Sequence, residues 1–230
     1  MDYTIYEGNQ MSFSKYLAKC FLWMFLGLLV SFGAAALFSY TNLFANILLS
    51  MGTGFMIISS IIEIVLVISL VGAIHKLNPS TAKTLFFIYS LVNGITLSYI
   101  FYVYELTSII YVFLGSAAVF GIMAYVGYNT KLDLSKLSNF IIIALISMLV
   151  IGIILMFAFS SVLYLVYSLF GIGLFMIITT YDIHTIKRMY YSSNGEVEHN
   201  TLAIYGALQL YLDFINIFIH LLALFAKNRD

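Results

Sequence analysis

Charge is scarce in this chain. Lys, Arg, Asp and Glu make up 9% of its 230 residues, where a soluble domain carries about 25%. With 63% hydrophobic residues and a mean hydropathy of +1.04, such a chain would not stay dispersed in water. It reads as an all-α polytopic membrane protein. Cysteine occurs once, at Cys20, which excludes an intramolecular disulfide and leaves the redox compartment open. Proline also occurs once, at Pro79 in Leu77-Asn-Pro-Ser80. Neither sign of charge dominates, with 10 Lys and Arg against 10 Asp and Glu, so net charge points to neither nucleic acid nor an anionic partner. No polar segment is long enough to fold alone, and one domain is expected.

Catalytic signatures are missing too. His75, His184, His199 and His220 show no metal-ligand spacing, and no His-Glu-x-x-His occurs. His184 and His199 read as loop residues. Gly171-Ile-Gly173 lacks the third glycine and the preceding strand of a dinucleotide fingerprint. No Cys–His or nucleophile-elbow serine stands out.

What is present is a series of seven apolar runs, at about 17–40, 46–74, 84–104, 108–128, 138–160, 162–186 and 202–226. About 20 apolar residues cross the hydrocarbon core. The first run is too long for a cleaved signal peptide and reads as a permanent span. The expected division is a polar N-terminal tail at 1–16, one seven-helix membrane domain at 17–226, and a short tail at 227–230. Lys15, Lys19, His75, Lys76, Lys83, Lys131, Lys136, Lys187 and Arg188 lie before the first run and in every second connection. The alternate connections, at 41–45, 105–107 and near Ser160, hold no Lys or Arg. By the positive-inside rule the N-terminus is cytoplasmic. Lys227 and Arg229 complicate the end of the chain: a seventh crossing puts them outside, whereas a re-entrant last helix would keep them inside. Gly33-Ala-Ala-Ala36, Gly52 with Gly54, and Gly171 with Gly173 read as close helix contacts.

The last run is the most polar inside. Gln209, Asp213, Asn216 and His220 fall at i, i+4, i+7 and i+11, one helical stripe. An ionisable group at membrane depth costs roughly 2.5–3.5 kcal/mol on insertion scales, so this stripe is expected to face other helices or water. Asp182, in Tyr181-Asp182-Ile-His184 on the preceding run, is either an interfacial residue or a partner of Asp213. Two carboxylates in contact cannot both ionise cheaply and would share a proton. Fully ionised, they would form a hard-oxygen ligand for a divalent cation. Glu63 is either a carboxyl hydrogen-bonded between helices or part of an ion path. His220 is either a helix contact or a proton relay. Tyr102, Tyr104, Tyr125 and Tyr128 read as interfacial anchors.

Two stretches are familiar together. Tyr181-Asp182 through Ile186-Lys187, and Leu210-Tyr-Leu-Asp213-Phe-Ile-Asn-Ile-Phe218, resemble the bacterial branch of the transmembrane Bax inhibitor motif family. Glu63 and Asn93-Gly-Ile-Thr-Leu97 match the same pattern. The resemblance implies seven transmembrane helices, the last central and wrapped by two three-helix layers. It implies a pH-sensitive calcium leak of the bacterial cytoplasmic membrane, with Asp182 and Asp213 as proton sensor and calcium site. The path would be lined by Glu63, Asn93, Asp213 and Asn216. Some members hold one aspartate with an arginine at the end of the second span; here His75 or Lys76 would have to serve, or the salt bridge is absent. A histidine there would add acid response, since its unperturbed pKa is about 6.5.

Other functions remain in view. A non-transporting regulator would bind a membrane-bound quality-control protease through residues 1–14. A proton-coupled exchanger would also use an acid pair. An intramembrane aspartyl protease is disfavoured, because its second aspartate follows Gly-x-Gly while Asp213 follows Tyr211-Leu212, and because no Pro-Ala-Leu element is present. No resident cofactor is expected, and the protein is not expected to be an enzyme. Calcium ions, protons and the lipid bilayer are the expected partners.

Overall fold

The computed structural model describes residues 12–52, 54–73, 76–130, 132, 134–158, 160–192 and 196–229. They form the helices α1 (Phe13–Tyr40), α2 (Leu43–Met51), α3 (Gly54–Ala73), α4 (Pro79–Leu97), α5 (Ile100–Val103), α6 (Leu106–Asn129), α7 (Ser138–Ala158), α8 (Ser161–Ser192) and α9 (Glu196–Phe225), with a 3-10 turn at Leu134–Leu137. Among the described residues there is no strand, only an isolated antiparallel bridge between Tyr104 and Asn228. Among the described residues, six helices are long and apolar enough to cross a membrane, and α3 holds a shorter apolar stretch, Ile57–Gly72.

Local chemistry sets several boundaries. Pro79 begins α4, where its missing N–H costs nothing, and the Asn78 side chain accepts from Thr81 N at 2.8 Å to cap the helix. The expected run at 46–74 is two helices, because the chain turns at Gly52 with φ +59°, a left-handed conformation that glycine adopts without penalty. The expected tail at 1–16 ends early: α1 starts at Phe13 because Phe13 and Tyr16 are buried against Tyr190. His184 and His199 are helical, not loop residues, since α8 extends to Ser192 and α9 begins at Glu196. There Tyr16 and Tyr190 pack on the His199 ring.

α9 lies at the centre, packed against α1, α4, α6 and α8, while α3 packs on α4 and α7 on α8. The burial gradient follows. In the most apolar window, 56% of α9 is buried but only 17% of the segment containing α7. A helix apolar on every side meets lipid or other helices. The outer faces of α3 and α7 leave Ile61, Ile68, Ile143 and Ile146 exposed.

The two ends of the bundle are distinct. At one end the start of α1 meets the ends of α6 and α8 through Phe13, Tyr128 and Tyr190. The start of α9 joins them through Lys19 and Asn200, which are hydrogen-bonded. At the other end Tyr102 Oη donates to Ser39 O at 3.1 Å, and Lys227 pairs with Glu105 at 2.7 Å. α9 therefore runs through the whole bundle and does not return. Arg229 donates from its backbone to Val103 O at 2.8 Å and from Nη1 to Phe101 O at 3.1 Å. Arg229 thus satisfies carbonyls left open where α5 ends.

Candidate functional site

The site forms along the antiparallel seam between α8 and α9. Ile186 lies opposite Gly206, Asp182 opposite Gln209, Thr179 opposite Asp213, and Gly171 opposite His220. This register turns the stripe Gln209, Asp213, Asn216 and His220 onto α8. Asp182 and Asp213 are 7% and 2% exposed, so both carboxylates are out of contact with lipid and bulk water. They lie close enough for their charges to repel.

Gln209 Nε2 donates to Asp182 Oδ1 at 3.3 Å. The Thr179 hydroxyl sits against Asp213 while donating to Phe175 O at 2.8 Å. Asp213 Oδ2 and Gln209 Oε1 are buried and have no hydrogen-bond partner among the described residues. No ion pair reaches either aspartate among those residues; the Lys227–Glu105 pair is at the far end of α9. Buried charges are normally paired, so this seam is an unusual place. Lys76 is exposed. His75 lies outside the described residues.

A second polar cluster occupies the opposite face of α9. Asn93 Nδ2 donates to Glu63 Oε2 at 3.2 Å. Tyr211 Oη donates to Asn93 Oδ1 at 2.8 Å and lies 2.6 Å from Ser31 Oγ, and Ser31 Oγ is 2.7 Å from Ser90 O. The chain therefore crosses from α3 through α4 and α9 to α1. Thr96 adds a hydroxyl beside Glu63, and Glu63 Oε1 has no partner among the described residues. Ser31 can reach this cluster because α1 and α4 touch at Gly94, where a Cβ would stand 2.3 Å from Ser31 O.

The expected path residues are thus divided. Glu63 and Asn93 are in direct contact, whereas Asp213 faces α8. Asn216 is half-buried and donates to Leu212 O of its own helix at 2.8 Å. His220 packs edge-on against Tyr167 and beside Phe175, which makes it an aromatic contact in the seam. Thr179, Gln209, Tyr211, Ser31 and Ser90 join the two clusters beyond the residues expected. Only Gln209 carried a positional signal, its i−4 spacing from Asp213. Among the described residues no three His, Cys, Asp or Glu converge as for a metal ion.

Apolar helices of spanning length with ionisable groups turned inward define a polytopic helical membrane protein. Residues 13–230 match the family described as Inhibitor of apoptosis-promoting Bax1, and the chain belongs to this Bax inhibitor family. It is 35% identical over 216 residues to the inner membrane protein YbhL of Escherichia coli (strain K12), covering 93% of this chain and 92% of YbhL. It is 36% identical over 232 residues, 99% of each chain, to an uncharacterized membrane protein of Streptococcus pyogenes serotype M6. A Borreliella burgdorferi protein is 35% identical over 218 residues, 94% of each chain.

Proposed function

We propose that the protein is a pH-sensitive calcium leak of a bacterial inner membrane, a conduit and not an enzyme. The observation that carries this reading is the Asp182–Asp213 pair, buried between α8 and α9 with no cation on it among the described residues. Two such carboxylates cannot both hold charge there without a counter-ion. A proton or a calcium ion supplies it, and the two compete for the same oxygens. Proton exchange at the pair alters its repulsion and so shifts a closed–open equilibrium. The resemblance to the leak-type members implies that acid favours opening.

In this reading α3 crosses as a seventh span. The layers α1, α3, α4 and α6, α7, α8 then wrap α9 in two groups of three, consistent with α3 on α4 and α7 on α8. The basic connections place the start of α1 in the cytoplasm, and Lys227 with Arg229 on the other side. The inner-membrane name of YbhL supports the location. Glu63 and Asn93 line one part of the calcium path, and Asp213 and Asn216 another. Because they lie on opposite faces of α9, conduction requires α9 to move against its neighbours. The Gln209–Asp182 bond is the contact such movement breaks. Lys76 and His75 are the cations available to meet an aspartate in another state.

The test is calcium uptake into proteoliposomes across an acid-to-alkaline series, for the wild type beside Asp182→Asn and Asp213→Asn. A pH-dependent flux that either substitution abolishes or uncouples from pH supports the sensor. A flat, absent flux in folded protein would instead favour a regulator that holds a membrane protease through its N-terminal tail.

A further inference from the structure

A different surface of α8 carries an unassigned binding site. At the end of the bundle where α1 begins, Thr130, His184, Lys187, Arg188, Tyr191 and Ser192 line an open pocket of about 510 Å³. A lysine, an arginine and an imidazole face the same space. Lys187 also stands 5.9 Å from the Phe13 ring, and Arg188 Nη1 donates to Ser135 Oγ at 2.8 Å. These contacts hold both cations at the pocket. A guanidinium and an ammonium presented together match the oxygens of a phosphate.

An apolar cavity lies along the same face of α8. Deeper between α6 and α8, Met123, Gly173, Met176 and Ile177 line a second cavity of about 340 Å³. On α8 the residues Gly173, Ile177 and Thr180 of the groove and His184, Lys187 and Tyr191 of the pocket follow spacings of three or four, which is one helical face. Gly173 is the notch in that face, since a Cβ there would meet nothing within 4 Å. From Gly173 to Arg188 the helix rises about 22 Å at 1.5 Å per residue. That is the height of about one leaflet with its headgroup region. A soluble anion would need the basic pocket alone; a phosphate carried on an acyl chain fits both parts. Basic pockets at the ends of membrane helices are a recurrent way to hold acidic headgroups.

We propose that this face of α8 binds one anionic phospholipid, its phosphate between Lys187 and Arg188 and an acyl chain in the groove at Gly173. The site is separate from the aspartate seam, and the proposal stands whether or not the protein conducts calcium.

The test is native mass spectrometry of the full chain in detergent, titrated with phosphatidylglycerol, with phosphatidylcholine of the same chains, and with inorganic phosphate. The expected result is a single saturable phosphatidylglycerol adduct, not matched by phosphatidylcholine and not displaced by millimolar phosphate. Lys187→Gln with Arg188→Gln should weaken it on the order of tenfold or more. Lys187→Arg should keep it, which separates lost charge from misfolding. Gly173→Leu, which fills the groove, should weaken it as well. Equal binding of phosphatidylcholine, displacement by inorganic phosphate, or unchanged binding in both the double variant and Gly173→Leu would overturn the proposal.

Discussion

Tyr211 and Asp213 stand two residues apart on α9 and face opposite halves of the bundle. At about 100° per residue their side chains diverge by about 200°. Tyr211 bonds to Asn93 and Ser31 on α4 and α1, and Asp213 lies against Thr179 and Asp182 on α8. One buried helix thus holds two polar clusters on opposite faces.

Removing the Tyr211 hydroxyl should therefore weaken the fold without disturbing the acid pair. Tyr211→Phe leaves Asn93 Oδ1 without its donor, and hydrogen bonds between membrane helices are worth about 0.6 kcal/mol on average and up to about 1.7. Unfolding in mixed detergent should show a loss of that order. Calcium flux from Tyr211→Phe should retain the wild-type pH midpoint. A displaced midpoint would mean that the clusters are coupled.

Gln209 is the one side chain seen to donate to Asp182. Gln209→Leu removes that donor from a buried carboxylate, so the pair must respond. The midpoint of pH-dependent flux should move in this variant, while Asn216→Leu, which loses only a bond to its own helix, should move it less. Combined with Tyr211→Phe, the stability losses should add within about 0.5 kcal/mol, as for independent sites.

Gly94 and Gly33 should respond oppositely to enlargement. A Cβ at Gly94 would stand 2.3 Å from the backbone oxygen of Ser31, whereas at Gly33 it would meet nothing within 4 Å. Gly94→Ala forces α1 and α4 apart and should cost about 1–3 kcal/mol, the range for overpacking. Gly33→Ala should stay within about 0.5 kcal/mol. Thermal unfolding of the two variants side by side checks this.

The end of α9 gives a topological test. In a Cys20→Ser background, Asn228→Cys should react with a membrane-impermeant thiol reagent only from the side opposite the N-terminus. Labelling from the cytoplasmic side would contradict the proposed orientation of α9. Breaking the Lys227–Glu105 pair by Lys227→Gln should cost at most about 1 kcal/mol, because Lys227 is 68% exposed.

Composition and periodicity alone determined the membrane class, the approximate place of most spans and the inward turn of the α9 stripe. Each follows from one chain segment and its solvent: long uncharged runs enter lipid, and buried polar groups turn away from it. Neighbours across the bundle were beyond that reach. The helical start at Phe13 and the continuation of α8 to Ser192 depended on packing between distant segments. So did the full passage of α9, whose tail cations are met by Glu105 and the open carbonyls of α5. Ser31 shows the limit most clearly. Nothing in its apolar helix marks it, and it enters a polar chain only because Gly94 lets two backbones touch. The tertiary structure likewise separated Glu63 and Asn93 from Asp213, since the rotation of α9 relative to α4 and α8 is set by which side chains interlock there, a property of the assembled bundle.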